Sequence, residues 1–228
     1  MGSIEDMASI DTAGDRQWYI AQRWQQYTGE ARANLLRIGA VGVFYLLHLW
    51  NTWGSQGWLP KWGLLELGET GAVDRRFHLL ATLLALSWIL AAGVVHLCLR
   101  NRVFPRWISL ASTAVDLVML TSVLAISSGP RSPLVVGFFL IIALAGLRFS
   151  LPLVRLTTVG AIVGYVCIQG VAKWPERFGR NAADDLRVPR YEQLVMLAAL
   201  ALCGVFVGQI VRQARHVAEV MRKSNGRP

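Results

Sequence analysis

Three cysteines among 228 residues, Cys98, Cys167 and Cys203, do not stand in the paired spacing that holds a metal. They read as small buried hydrophobes, so no metal site is expected. Catalytic signatures are equally scarce. The chain has no glycine-rich phosphate loop followed by Lys and Ser or Thr, no HExxH, no GxSxG and no two acids facing each other at one depth. Ser112 or Ser122 with His48 offers only a weak nucleophile and base at a common depth, and the expectation is a non-enzymatic protein. A secretory signal is also missing, because the first 34 residues are polar and Trp-rich with no apolar core before a cleavage site. Charge is thin throughout, at 16% of residues against 54% hydrophobic.

What fills the chain instead is a series of apolar runs, each near the roughly 20 residues that a helix needs to cross a bilayer. Six spans are expected, at 36–57, 77–99, 107–127, 133–150, 152–172 and 191–212. The fold class is therefore all-α, a polytopic bundle of six transmembrane helices. The net charge of +9 does not point to nucleic acid, since the basic residues are scattered at helix ends. Placing both termini in the cytoplasm puts fourteen of the 23 Lys and Arg inside, as the positive-inside rule favours.

Outside the spans, residues 1–14 read as a mobile polar tail. In 15–35, Ile20, Trp24, Tyr27, Ala31 and Leu35 recur at helical spacing, which predicts an interfacial amphipathic helix leading into the 36–212 membrane domain. Trp53, Trp58 and Trp62 fit an aromatic belt at the membrane boundary. Residues 213–228 begin as a helix leaving the membrane and stop at "SNGRP". No motif recurs between the two halves, which argues against an inverted-repeat transporter.

One acid, Asp116, interrupts "TAVDLVMLTSV" near the middle of the third span. An ionised carboxylate there costs about 2.5–3.5 kcal/mol or more, so it must face the bundle interior, take a proton or find a partner. His48 is the histidine at comparable depth, with Tyr45, Ser87 and Tyr165 as hydroxyl alternatives. Asp116 with His48 is the expected polar switch, and a fixed interhelical hydrogen bond is the plainer reading. His78 is read at the outer end of its helix and His96 near the inner end of the same helix. That leaves one well-placed imidazole where a b-type haem needs two, and no haem is expected. Gly160 with Gly164, and Gly204 with Gly208, form GxxxG pairs suited to close helix packing, within the bundle or against a second copy.

The stretch from Phe104 to Tyr165 resembles the middle of six-helix membrane domains found at the N-terminus of bacterial histidine kinases and class III adenylyl cyclases. It carries an Asp in the third helix, a short outer turn "SSGPRSPL" with a helix starting at Pro133, and a polar inner turn. The resemblance implies a bacterial inner-membrane location and a sensor role, with an effector as a separate partner because no kinase or cyclase domain follows Pro228. A redox-responsive subgroup has G-G-x-x-N-P-F in the outer turn, associated with quinone. Gly129 and Pro133 match that pattern here, making Gly129, Arg131 and Pro133 the outer-turn ligand candidates, although no quinone is expected. The alternatives are an accessory or anchoring subunit of a larger membrane complex and, third, a small proton-coupled transporter. Expected partners are the lipid bilayer and protein, as a homodimer, an effector or complex subunits.

Overall fold

The computed structural model describes residues 27–50, 52–53, 75–101, 107–175 and 187–225. The expected tail, most of the amphipathic segment, Trp58, Trp62 and the 176–186 stretch lie outside the described residues. Six α-helices account for nearly all of the rest: α1 Tyr27–Trp50, α2 Arg75–Arg100, α3 Ile108–Ile126, α4 Gly137–Leu147, α5 Leu151–Lys173 and α6 Arg190–Asn225. Among the described residues there is no strand.

Five of these helices are long and apolar enough to cross a membrane, one fewer than the six expected. The exception lies in the predicted 133–150 span. Pro133–Val136 is a 3-10 turn, and only Gly137–Leu147 is α-helical. Pro130 and Pro133 lack the N–H an earlier helical start would use, while the Ser132 hydroxyl accepts from the Leu134 N–H at 3.3 Å and fixes the entry. Because a 3-10 turn rises about 2.0 Å per residue against about 1.5 Å in an α-helix, the combined apolar segment still reaches roughly 24 Å.

The first helix also departs from expectation. It is one continuous rod from Tyr27, so the last nine residues of the segment read as interfacial belong to the same helix as the first span. Three cross-links align it against α2 in antiparallel register: Tyr27 Oη donates to the Leu99 carbonyl at 3.1 Å, Asn34 Nδ2 to the Ala92 carbonyl at 3.1 Å, and Tyr45 Oη to Thr82 Oγ1 at 3.2 Å. Each step up α1 is matched by an equal step down α2.

Helices α3 and α5 form the centre and bury a larger share of their residues than α1, α2 or α6. The core lies between them: Leu120 and Leu124 of α3, Phe138 and Ile142 of α4, Ala161, Tyr165 and Ile168 of α5, and Leu200 of α6. Outward faces carry Leu46, Leu83, Leu90, Leu202 and Phe206, apolar surface that a bilayer accepts and water does not.

Glycines permit the closest approaches. A Cβ at Gly160 would strike Leu117, one at Gly164 would stand 2.7 Å from Thr121 Oγ1, and one at Gly204 would overlap the side chain of Thr158. Gly208 has open space around it. Thr158 cannot swing away without losing its 2.8 Å bond to the Val154 carbonyl. Gly204→Leu should therefore destabilise the bundle by about 1–3 kcal/mol in a detergent unfolding titration, and Gly208→Leu should stay within about 0.5 kcal/mol.

Candidate functional site

Two polar stripes meet inside the bundle. On α1 they are Glu30, Asn34 and Arg37, four and then three residues apart; on α3 they are Ser109, Ser112, Thr113 and Asp116, which also share one helix face. Glu30, Asn34 and Arg37 are each at most 4% exposed, and Asp116 is 3% exposed. A third contributor, Arg148, enters from the turn that joins α4 to α5 and is itself buried.

Asp116 is paired with Arg37. Its Oδ1 lies 2.7 Å from Arg37 Nε, a charge contact in which the N–H is not aligned on the oxygen, and it accepts a hydrogen bond from Trp88 Nε1 of α2 at 2.8 Å. The guanidinium makes its aligned bonds elsewhere, to Asn34 Oδ1 at 2.7 Å and Ser112 Oγ at 3.1 Å. Arg148 pairs with Glu30 Oε1 at 2.8 Å and donates to Ser112 Oγ at 3.0 Å, to the Ser109 carbonyl at 3.1 Å and, through a short bond, to Thr113. Ser109 Oγ closes the set on Glu30 Oε2 at 2.7 Å. Ser112 is thus the hinge of the cluster, taking donors from both guanidinium groups and offering its own proton to Glu30 at 3.2 Å.

Two carboxylates against two guanidinium groups leave the cluster with no net charge. In a low-dielectric interior each ion alone would cost several kcal/mol, so balance and hydrogen bonding together decide whether such a cluster is tolerated. A close backbone approach makes the Glu30–Arg148 pair reachable: a methyl on Gly29 would stand 2.8 Å from the Leu147 carbonyl oxygen and 3.4 Å from Arg148 Cα. Beyond Arg148 the chain turns through Phe149 at φ 50, a left-handed conformation that is uncommon without glycine. Its carbonyl accepts from Arg215 of α6, through Nε at 2.9 Å and a second, short bond.

Asp116 and His48 share no hydrogen bond. His48 Nε2 stands 3.1 Å from His78 Nδ1, the two rings stacked with centroids 5.2 Å apart. His78, read from the sequence as lying outside the depth of His48, is its partner because α1 and α2 run antiparallel in register. The hydroxyl alternatives are engaged too: Tyr45 with Thr82, Ser87 with the Leu84 carbonyl at 2.8 Å, and Tyr165 with Gln169 one turn along its own helix at 2.9 Å. Asp116 and His48 do line one cavity of about 130 Å³, bounded by α1, α2, α3 and the Leu134–Leu144 segment. Arg37, Tyr45 and Trp88 line it too, and its remaining walls are apolar, among them Phe44, Ala85, Leu120, Leu140 and Ile141.

The outer-turn candidates lie elsewhere. Gly129 takes φ 60, which its missing side chain permits, Pro133 opens the 3-10 turn, and Arg131 donates to the Arg187 carbonyl at 2.9 Å, tying this turn to the start of α6. Neither Gly129 nor Arg131 nor Pro133 lines the cavity. Among the described residues no group of three or more His, Cys, Asp or Glu could hold a metal.

Arg37, Glu30, Arg148 and Trp88 were not identified from sequence as site residues. The signal for the first two was the polar stripe at 30, 34 and 37, the helical match of the stripe at 109, 112, 113 and 116. Removing one member of a buried pair strands its partner, so Arg37→Met should cost about 3–5 kcal/mol in detergent unfolding, and adding Asp116→Leu should restore part of that loss. A double-mutant cycle on the two substitutions measures the coupling. Comparison with family models, with curated proteins and with solved structures finds no match to this chain.

Proposed function

We propose that the protein is a non-enzymatic membrane sensor, whose bundle receives a signal at the Asp116 cavity and relays it through α6 to a partner protein. The observation that carries the reading is the continuous chain of contacts from Asp116 through Arg37, Ser112 and Arg148 to the Phe149 carbonyl held by Arg215. A change in the Asp116–Arg37 pair alters what Ser112 must satisfy, and through Arg148 it alters the turn on which α6 rests. Helix α6 is suited to the output because it spans 36 residues, about 54 Å, against a hydrocarbon core of about 30 Å. Its last turns run from Arg212 past the last strongly apolar stretch, where an effector in the cytoplasm can grip them.

The test starts from a nanodisc pull-down of the tagged protein with mass spectrometry of what stays bound. A substoichiometric effector whose activity shifts by about fivefold or more in Asp116→Asn, with unchanged abundance, supports the sensor. The same shift is expected in Arg215→Ala. A fixed-ratio set of membrane subunits, indifferent to both substitutions, would sink it in favour of an accessory subunit.

A further inference from the structure

We propose that the cavity beside Asp116 binds a neutral lipophilic phenol or ring alcohol taken from the bilayer, whose hydroxyl donates to Asp116 Oδ2. The inference deepens the sensor reading by giving the chemistry of what the site would receive.

The first reason is an unfilled acceptor. Asp116 Oδ1 serves both Arg37 and Trp88, while no group among the described residues donates to Oδ2, although the side chain is almost wholly buried and lines the cavity. Oδ2 is not sealed off by protein atoms, and a hydroxyl in the cavity would give this oxygen the donor it lacks. The second reason is charge. Glu30 and Asp116 already balance Arg37 and Arg148, so an ammonium or carboxylate ligand would bring an uncompensated charge into the interior, whereas a neutral donor would not.

The third reason is shape. About 130 Å³ is close to the roughly 150 Å³ apolar cavity known to take a benzene ring in another protein. Apart from Asp116, His48, Arg37, Tyr45 and Trp88 the walls are apolar, so a ring with one hydroxyl fits where a sugar or phosphate head, with many polar groups to satisfy, would not. Phe44 of α1 and Leu140 of α4 line the cavity and are also 38% and 42% exposed on the apolar surface. The mouth therefore opens between these helices at the face that meets lipid chains, and a ligand's tail can trail out there.

The probes are 4-octylphenol, octylbenzene and octylammonium, competing against a diazirine-bearing alkylphenol on the full chain in phosphatidylcholine nanodiscs. Sites of labelling are mapped by mass spectrometry. The expected result is labelling at cavity-lining residues and displacement by 4-octylphenol at about tenfold or more lower concentration than by octylbenzene. Ala85→Phe, which fills the cavity and leaves the ion cluster intact, should abolish the labelling. Asp116→Asn should shrink the preference for the phenol. Equal displacement by octylbenzene would overturn the proposal, leaving a slot for any acyl chain. Stronger displacement by octylammonium, or labelling spread over the outer helix faces, would also overturn it. No effector is present in this assay, so failure of the relay and failure of the binding site are read separately.

Discussion

The electroneutral cluster of Glu30, Arg37, Asp116 and Arg148 is the constraint around which the rest of the bundle is arranged. Four ions in an apolar interior are tolerable only when their charges cancel and nearly every donor is met, which fixes the distances among α1, α3 and the turn after α4. Trp88 and the Ala92 carbonyl bring α2 into the same set, so four segments far apart in sequence are locked by one requirement. Packing then follows. Gly29 exists to let α1 touch the backbone of the 147–148 turn, and the glycines of α5 and α6 let the remaining helices close on α3 and on each other.

Legibility from sequence divides along physical lines. Hydropathy located the five helices that are long and apolar enough to cross a membrane, because such a helix must be apolar over its whole length whatever it packs against. It failed at ends. Glu30 and Arg37 lie where polar residues are expected at a membrane boundary, so Arg37 read as a topology marker and Glu30 as part of an interfacial face. In the bundle both are buried, since α1 begins its packing at Tyr27. The 133–150 span was overlong for a similar reason: composition registers the apolar 3-10 turn and the α-helix alike.

For the site, depth singled out Asp116 but could not choose its partner. Rotation of each helix about its axis is set by contacts between residues as distant as 37 and 116, and a single span carries no record of it. His48 was at a plausible depth and proved to face α2, where register pairs it with His78. The stripe at 30, 34 and 37 did carry rotational information, because residues four and three apart define one helix face. Matching that stripe with the one at 109, 112, 113 and 116 would have found Arg37, although Arg148, alone in a turn, offers no periodic signal.

Electroneutrality also shapes how such a site could respond. A cluster with surplus charge would draw in counter-ions or protons, and its geometry would follow bulk conditions. A balanced one is less subject to them and sensitive instead to whatever alters a single hydrogen bond, since Ser112 Oγ, Glu30 Oε1 and Asp116 Oδ1 are each shared between two donors. Ser112 is the clearest case: its one oxygen takes both guanidinium groups, so neither arginine can shift without changing what the other holds. Because Arg148 sits beside the residue that Arg215 grips, this shared acceptor puts α6 one residue away from the cluster.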